Sequence, residues 1–163
     1  MEMEQIIEEV RGRDGALVVV PEPGGPFPEL AWGDAFFYYA PDGRMPEREQ
    51  PYATIVTKDY PGDTASGLNE PGRWRVNVHV GRAKFEALIG APPRAFAAEG
   101  SAAANTDASA VDEVLPHPVY AAQGWVAVVN PATRTADLLS GLLAEAHEAA
   151  RARAARRPRR DEG

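Results

Sequence analysis

At 163 residues the chain has the length of one domain, which buries about 70% of its unfolded surface and needs no metal or disulfide to fold. It has no cysteine, which excludes disulfides, thiolate metal sites and cysteine nucleophiles. The chain has 17 basic and 24 acidic residues, of which six basic and two acidic ones follow residue 150. Residues 1–150 therefore carry a net charge of −11, and this negative charge argues against binding nucleic acid.

The ends of the chain differ in charge. The N-terminal segment MEMEQIIEEV is acidic, whereas a secretory signal begins with basic residues, and apolar runs such as ALVVV are too short to cross a bilayer. With the lack of cysteine, these features predict a cytoplasmic protein without membrane contact. Residues 1–150 are expected to form a single domain, and the arginine-rich segment 151–163 a frayed or disordered tail.

The first half of the chain reads as a helix followed by strands. Apolar residues at helical spacing predict an amphipathic helix over residues 2–11, and the apolar run at residues 16–20 predicts a short buried strand. Strands over 34–40 and 52–58 are predicted to pair as an antiparallel hairpin with a long connection. Asp63 is placed to act as the N-cap of one or two helical turns.

The clearest alternation lies in residues 73–80. One face is apolar and carries Trp74, Val76, Val78 and Val80, while the other is polar and carries Arg73, Arg75, Asn77 and His79. We refer to these four polar residues as the β-strand polar row. An antiparallel sheet commonly has one solvated face, so the row is either ordinary surface or the wall of a binding groove.

The second half of the chain predicts a helix over 82–89, a last strand over 124–130 and a helix that begins at Thr135. Residues 95–108, rich in alanine, and residues 156–163 are expected to be poorly ordered or poorly packed. Ser109 and Asp112 have capping-box spacing, which favours a helical turn there.

These elements predict an α+β fold because helices precede, interrupt and follow the strands without regular βαβ alternation. The expected architecture is a mostly antiparallel sheet of about five strands with helices packed on one face and a long C-terminal helix. Its expected core residues are apolar and share one phase of each element: Trp32, Val56, Val76, Val78, Phe85, Val126, Val128, Leu139 and Leu142.

Four segments carry a family resemblance: AWGDAFFYYAPDG, PYATIVTKDYPGDTAS, RVNVHVGRAKFEALIG and LPHPVYAAQGWVAVVNP. They resemble an uncharacterised domain-of-unknown-function family of high-GC bacteria, a resemblance that implies no activity. The order of Trp32, a strand ending at Lys58, Trp125 and the C-terminal helix more distantly resembles the MmcQ/YjbR-like double-wing proteins. That second resemblance implies DNA binding by fold analogy.

Motifs of common catalytic and cofactor sites are missing from the sequence. No glycine-rich phosphate loop and no G-x-S-x-G elbow occurs, so no cofactor is predicted. His79 and His117 with Asp34 could in principle bind a metal, but no H-x-H or H-x-x-x-H spacing supports this and no metal is predicted. His147 lies in a stretch rich in Arg and Glu and is expected to be solvated.

Several polar residues are candidates for a ligand site. The proline on each side of His117 fixes its backbone in an extended form, and a lysine at a strand end beside a helix can recognise an anion. Asp34 either caps a turn or faces Lys58, Arg75 and His79 across a polar pocket. The candidate ligand-binding residues are Asp34, Lys58, Tyr60, Arg73, Arg75, Asn77, His79 and His117.

Three functions are compatible with these features. The preferred hypothesis is a non-enzymatic binding module for a small anionic ligand or a protein segment, with Tyr38, Tyr39, Tyr60 and Trp125 at the edge of the polar face. The alternative is a small metabolic enzyme that uses Asp34, His79 or His117 for acid–base chemistry, although no residue is assigned as catalytic. The third is DNA binding by the double-wing analogy. The sequence leaves the oligomeric state open.

Overall fold

A six-stranded antiparallel sheet forms the centre of the computed structural model, which describes residues 1–98 and 106–157. The strand order is β1-β2-β3-β4-β6-β5. The strands are β1 (Ala16–Val19), β2 (Ala35–Tyr39), β3 (Ala53–Val56), β4 (Arg75–His79), β5 (Leu115–Pro116) and β6 (Trp125–Val129). The helices are α1 (Met3–Arg11), α2 (Arg82–Ile89) and α3 (Ala136–Ala155).

One face of the sheet forms the main core because alternate strand residues are apolar and point toward α1 and α3. Phe37, Ile55, Val76 and Val126 contribute one residue each from the four central strands, and all are at most 1% exposed. The helices contribute an apolar stripe to this core: Ile6, Ile7 and Val10 from α1, and Leu139, Leu142, Leu143, Ala146 and Ala150 from α3. The predicted α+β fold with a long C-terminal helix is thus confirmed.

The opposite face of the sheet carries the β-strand polar row and is largely covered by loops. Cross-strand pairing places Thr54 beside Asn77, and places Val56 and Val129 on either side of Arg75. Leu68 from the loop that joins β3 to β4 packs on Val56 and Val129 and closes a small second core. This loop cover turns part of the polar face into a cavity instead of leaving it open to solvent.

Most predicted elements match the structure within one or two residues, but five local predictions were wrong. β1 is a half-buried edge strand, not a buried one. Trp32 is only half-buried, whereas the other eight expected core residues are buried. The segment after Asp63 forms turns without a helix, since the Asp63 side chain pairs with Arg75 instead of capping.

The fourth correction concerns His147, which is buried and not solvated. Its Nε2 donates to the carbonyl of Asp14 at 2.8 Å, and its Nδ1 accepts from the hydroxyl of Tyr52 at 3.0 Å. The imidazole therefore has a partner at both nitrogens and ties α3 to the residue before β3 and to the turn before β1. A buried histidine with both nitrogens satisfied serves packing and specificity.

The fifth correction concerns Ser109 and Asp112, where no helical turn forms and Asp112 instead caps α3. Asp112 has a positive φ of 51°, and its carboxylate accepts hydrogen bonds from the backbone N–H groups of Ala132, Arg134 and Thr135 and from the Thr135 hydroxyl. The hydrogen bond from Thr135 is the main cause that lowers the pKa of Asp112 to about 2. Asp112 thus anchors the chain before β5 to the N-terminus of α3, where a negative charge is favourable.

The segments expected to be poorly packed fall partly outside the description. Residues 99–105 and 158–163 lie outside the described residues, while Phe96 packs edge-on against Phe85 with ring centroids 5.5 Å apart. Helix α3 reaches Ala155 and so includes Arg151, whose Nε donates to Glu148 at 2.7 Å.

In residues 1–98 and 106–157, none of the helices has the length and apolar character that crossing a bilayer requires.

Candidate functional site

A cavity of about 420 Å³ lies on the loop-covered face of the sheet, over β3, β4 and the start of β6. Its volume falls within the range of small-molecule sites. Its apolar and aromatic walls are Phe36, Pro51, Val56, Tyr60, Pro61, Val119, Tyr120 and Trp125. Its polar lining is Gln50, Thr54, Asp63, Arg75, Asn77 and His117, with Gly62 at the same wall as Asp63.

Arg75 is the centre of the polar lining and is only 1% exposed. Nη1 and Nη2 donate to the two carboxylate oxygens of Asp63 at 3.0 and 2.6 Å, a bidentate pair. Nε donates to Oδ1 of Asn77 at 2.7 Å, and Nη1 also donates to the hydroxyl of Ser66 at 3.0 Å. Four of the five N–H donors of the guanidinium thus have an oxygen acceptor, and one N–H on Nη2 points toward His117.

Asp63 balances the charge of Arg75. Burial acts to raise the pKa of Asp63, but the hydrogen bonds and the charge of Arg75 outweigh it and hold that pKa below its usual value. The carboxylate is therefore ionised at neutral pH, and the Arg75–Asp63 pair is electrically neutral overall.

His117 is fixed by its own turn. Its Nδ1 accepts two hydrogen bonds, from the backbone N–H groups of Val119 and Tyr120, both at 3.0 Å. The ring also packs against Tyr120 and Trp125, with centroids 5.0 and 6.4 Å away. Burial, and then the charge of Arg75, lowers the pKa of His117 to about 3, so the ring is neutral at physiological pH.

The hydrogen bonds of His117 assign its tautomer. A neutral imidazole has one N–H donor and one acceptor nitrogen, and Nδ1 must be the acceptor because two backbone N–H groups point at it. The proton then lies on Nε2, which is 3.4 Å from Nη2 of Arg75, a guanidinium nitrogen that can only donate. Two buried N–H donors therefore face each other, and no oxygen of the described residues accepts from either of them.

Asp34 organises a second polar cluster, which Tyr60 joins to the cavity. The fully buried carboxylate accepts from the backbone and hydroxyl of Thr57 at 2.9 and 2.6 Å, from Nζ of Lys58 at 3.0 Å and from the hydroxyl of Tyr60. Lys58 Nζ also donates to the carbonyl of Trp32 at 2.8 Å. Burial, together with the hydrogen bond to Asp34 and its charge, raises the pKa of Tyr60.

The structure brings only half of the candidate residues together at the cavity. Tyr60, Arg75, Asn77 and His117 line it. Asp34 and Lys58 bind each other in the adjoining cluster, so Asp34 does not face Arg75 or His79.

The two ends of the β-strand polar row make other contacts. Arg73 Nη2 donates to the carbonyls of Ser66 and Ser109 at 2.8 and 2.7 Å, which ties two loops together. His79 lies outside the cavity, where its Nε2 donates to the carbonyl of Gln123 at 3.1 Å and its ring packs on Trp125.

Sequence reasoning missed Asp63, Ser66 and Thr54 as site residues. Asp63 and Ser66 lie in an irregular segment without a periodic pattern, so nothing local predicts that they meet Arg75. Thr54 accepts from Nδ2 of Asn77 at 2.9 Å. It could have been found, because an antiparallel hairpin sets polar residues of one face opposite each other once the register is known.

The pH dependence of folding should report the environment of His117. Because its pKa is about 3 in the folded protein and near 6.5 when unfolded, acid protonates only the unfolded chain, and stability is lost as pH falls below 6.5. From about pH 8 to about pH 5 we expect this histidine alone to reduce the free energy of unfolding by about 2 kcal/mol. Urea denaturation at both pH values measures the loss.

The control for this prediction is His117→Asn, whose Oδ1 can replace Nδ1 as the acceptor of the turn but does not titrate. Its stability should fall with pH by about 2 kcal/mol less than that of the wild type. Equal pH dependence of the two proteins would contradict a buried, neutral His117.

Comparison with known proteins gives a family and no relatives of known activity. Within residues 1–98 and 106–157, no three His, Asp or Glu side chains come together as a metal site. No curated protein and no solved structure matches the chain. The model of a family of unknown function, DUF6194, matches residues 1–159, and the chain belongs to that family.

Proposed function

We propose that this domain is a non-enzymatic binding module, and that its cavity takes a small organic molecule through one acceptor oxygen. The observation that carries the proposal is the pair of N–H donors on Arg75 Nη2 and His117 Nε2, 3.4 Å apart, for which the described residues offer no oxygen acceptor. Buried donors are almost always paired, and an unpaired one has a considerable free-energy cost. A ligand oxygen in the cavity, about 2.9 Å from each nitrogen and to one side of the line that joins them, would accept from both.

The walls of the cavity support a ligand with an apolar body. Phe36, Val119, Tyr120 and Trp125 line the same cavity as the donor pair, and Tyr120 remains 52% exposed at the rim. Small-molecule sites commonly combine apolar walls with a few converging polar groups, as here. A concave site of this size suits a small molecule better than a protein segment, which would need an open groove or a long exposed strand edge.

The same contacts favour binding over acid–base catalysis. A general base needs a free lone pair, and Nδ1 of His117 already accepts two backbone hydrogen bonds while Nε2 carries the proton. Asp34 is fully buried and accepts hydrogen bonds from three side chains and one backbone N–H group. His79 lies outside the cavity, so the three residues of the enzyme hypothesis do not share a reaction site.

The test is a fragment screen by NMR with carboxylates, amides, ketones and phenols of similar size. We expect at least one class to bind in the millimolar range and to shift the backbone signals of Val119 and Tyr120 and the indole signal of Trp125. Binding should also shift the Nε2 resonance of His117, because the ligand oxygen accepts its proton.

Two substitutions of His117 provide the matched controls. His117→Asn keeps an acceptor for the turn but removes the donor at the Nε2 position, and should weaken binding by about tenfold. His117→Gln places an amide N–H near that position and should bind more tightly than the Asn variant. Absence of binding from all four classes, or equal binding by the Asn variant and the wild type, would contradict the proposal.

A further inference from the structure

The ligand of the cavity is a neutral amide or lactam and not an anion; we infer this from the charges and hydrogen-bonding groups beside the donor pair, and the inference rests on the proposed function. The sequence suggested an anionic ligand, for which the basic candidate residues are Lys58, Arg73, Arg75 and His79. Only Arg75 of these four lines the cavity. Its charge is matched by Asp63, in a pair whose closest nitrogen–oxygen distance is 2.6 Å.

The charge balance of the cavity disfavours a carboxylate ligand. Arg75 and Asp63 are the only charged side chains among the described residues that line it. An anion that accepts from Nη2 of Arg75 would gain attraction from the guanidinium but meet repulsion from the adjacent carboxylate, and the two effects largely cancel. It would also lose its hydration shell in a site with mainly apolar walls, a loss that needs a net opposite charge to offset it.

The hydrogen-bonding groups match an amide instead. Nη2 of Arg75 and Nε2 of His117 offer two N–H donors for one carbonyl oxygen, which has two lone pairs. Beside them, Oδ2 of Asp63 accepts one hydrogen bond from Nη2 of Arg75, and the described contacts leave it a lone pair for a further donor. A primary amide or a lactam carries a carbonyl oxygen and an N–H group on the same carbon, so one ligand group could accept from these donors and donate to this acceptor.

The aromatic walls of the cavity indicate the shape of the ligand. Flat ligands stack on aromatic rings, and four such side chains line the cavity: Phe36, Tyr60, Tyr120 and Trp125. Asn77 already makes two hydrogen bonds within the protein: its Nδ2 donates to the hydroxyl of Thr54 at 2.9 Å, and its Oδ1 accepts from Nε of Arg75. The inferred ligand is therefore a flat, uncharged ring that carries a primary amide or a lactam.

The experiment compares benzamide with benzoate, two probes of equal size, by NMR titration of the full chain near neutral pH, where benzoate is ionised. Benzamide should bind at least about tenfold more tightly, since a site built to pair an N–H group discriminates against a ligand that lacks it. Acetophenone, which keeps the carbonyl but has no N–H, should bind more weakly than benzamide and separates the role of Asp63 from that of the donor pair.

The outcomes distinguish this inference from the proposed function. Benzoate binding as tightly as benzamide, or more tightly, would overturn the amide inference and leave the binding module in place. If none of the three probes binds and the other fragments also fail, both are overturned; if none of the three binds but an anionic fragment does, only the inference fails.

A charge variant provides an independent arm. Asp63→Asn removes the negative charge and leaves Arg75 as an unmatched cation, so the preference should shift toward benzoate by about tenfold or more. The far-ultraviolet circular dichroism of the variant shows whether it is folded at the assay temperature. If it is not, the wild-type comparison of benzamide with benzoate decides alone. Unchanged selectivity in a folded Asp63→Asn variant would overturn the role given to Asp63.

Discussion

Replacing Arg75 by methionine is expected to lower the free energy of unfolding by about 3–5 kcal/mol, because it leaves the Asp63 carboxylate without its partner in a largely buried place. The substitution also removes the donors to Asn77 and Ser66. The measurement is urea denaturation at neutral pH.

Two controls separate the lost ion pair from the lost volume. The double variant Arg75→Met/Asp63→Leu removes both charges, and should recover a large part of the stability because a buried pair can be replaced by apolar groups at little cost. Arg73→Met removes an arginine two residues away that bonds only carbonyl groups, and should cost about 1 kcal/mol. A single Arg75 variant as stable as the wild type would show that Asp63 does not depend on it.

The fold could largely be predicted because its elements are regular and amphipathic. Alternation over β4 assigned Val76 and Val78 to the core and Arg75 and Asn77 to the opposite face, and the structure confirms all four positions. The periodicity of two fixes the face of each residue once the strand is found. The strand that was not predicted, β5, has only two residues and lies after a segment without periodicity, so no pattern could reveal it.

The sequence contained a signal for the burial of His147, but the polar residues next to it suggested exposure. The residue follows Leu143 by four positions and Leu139 by eight, so it continues the apolar stripe of α3 that also contains Ala146 and Ala150. Its neighbours in sequence are polar, and local composition therefore suggested an exposed position. Helical spacing was the better guide, because the face of a helix is set by the 3.6-residue period and not by adjacent residues.

The candidate site could be predicted only in part because its partners are distant in sequence and lie in loops. Arg75 and His117 were recognised as unusual, one in a polar row and the other between two prolines. Asp63, which neutralises Arg75, comes from the loop after β3, and its position depends on how that loop folds over the sheet. The sequence suggested an anion because it shows the basic residues but neither this contact nor which of those residues line the cavity.

Replacing Leu142 by alanine should lower the free energy of unfolding by about 2–5 kcal/mol, because it leaves a cavity between α3 and the sheet. Leu142 is 2% exposed and belongs to the main core, where α3 packs on β2 and β4. The measurement is the urea midpoint together with the slope of the transition, since an unchanged slope shows that stability alone has changed.

Leu138 on the same helix is the matched control, because it is chemically identical to Leu142 but 42% exposed. Leu138→Ala removes the same atoms without opening a buried cavity, so its effect should stay within about 0.5 kcal/mol. Helix propensity cannot explain a difference between the two variants, since both exchange leucine for alanine in α3. Equal midpoints for Leu142→Ala and the wild type would show that α3 does not pack on the sheet and that it does not contribute to the main core.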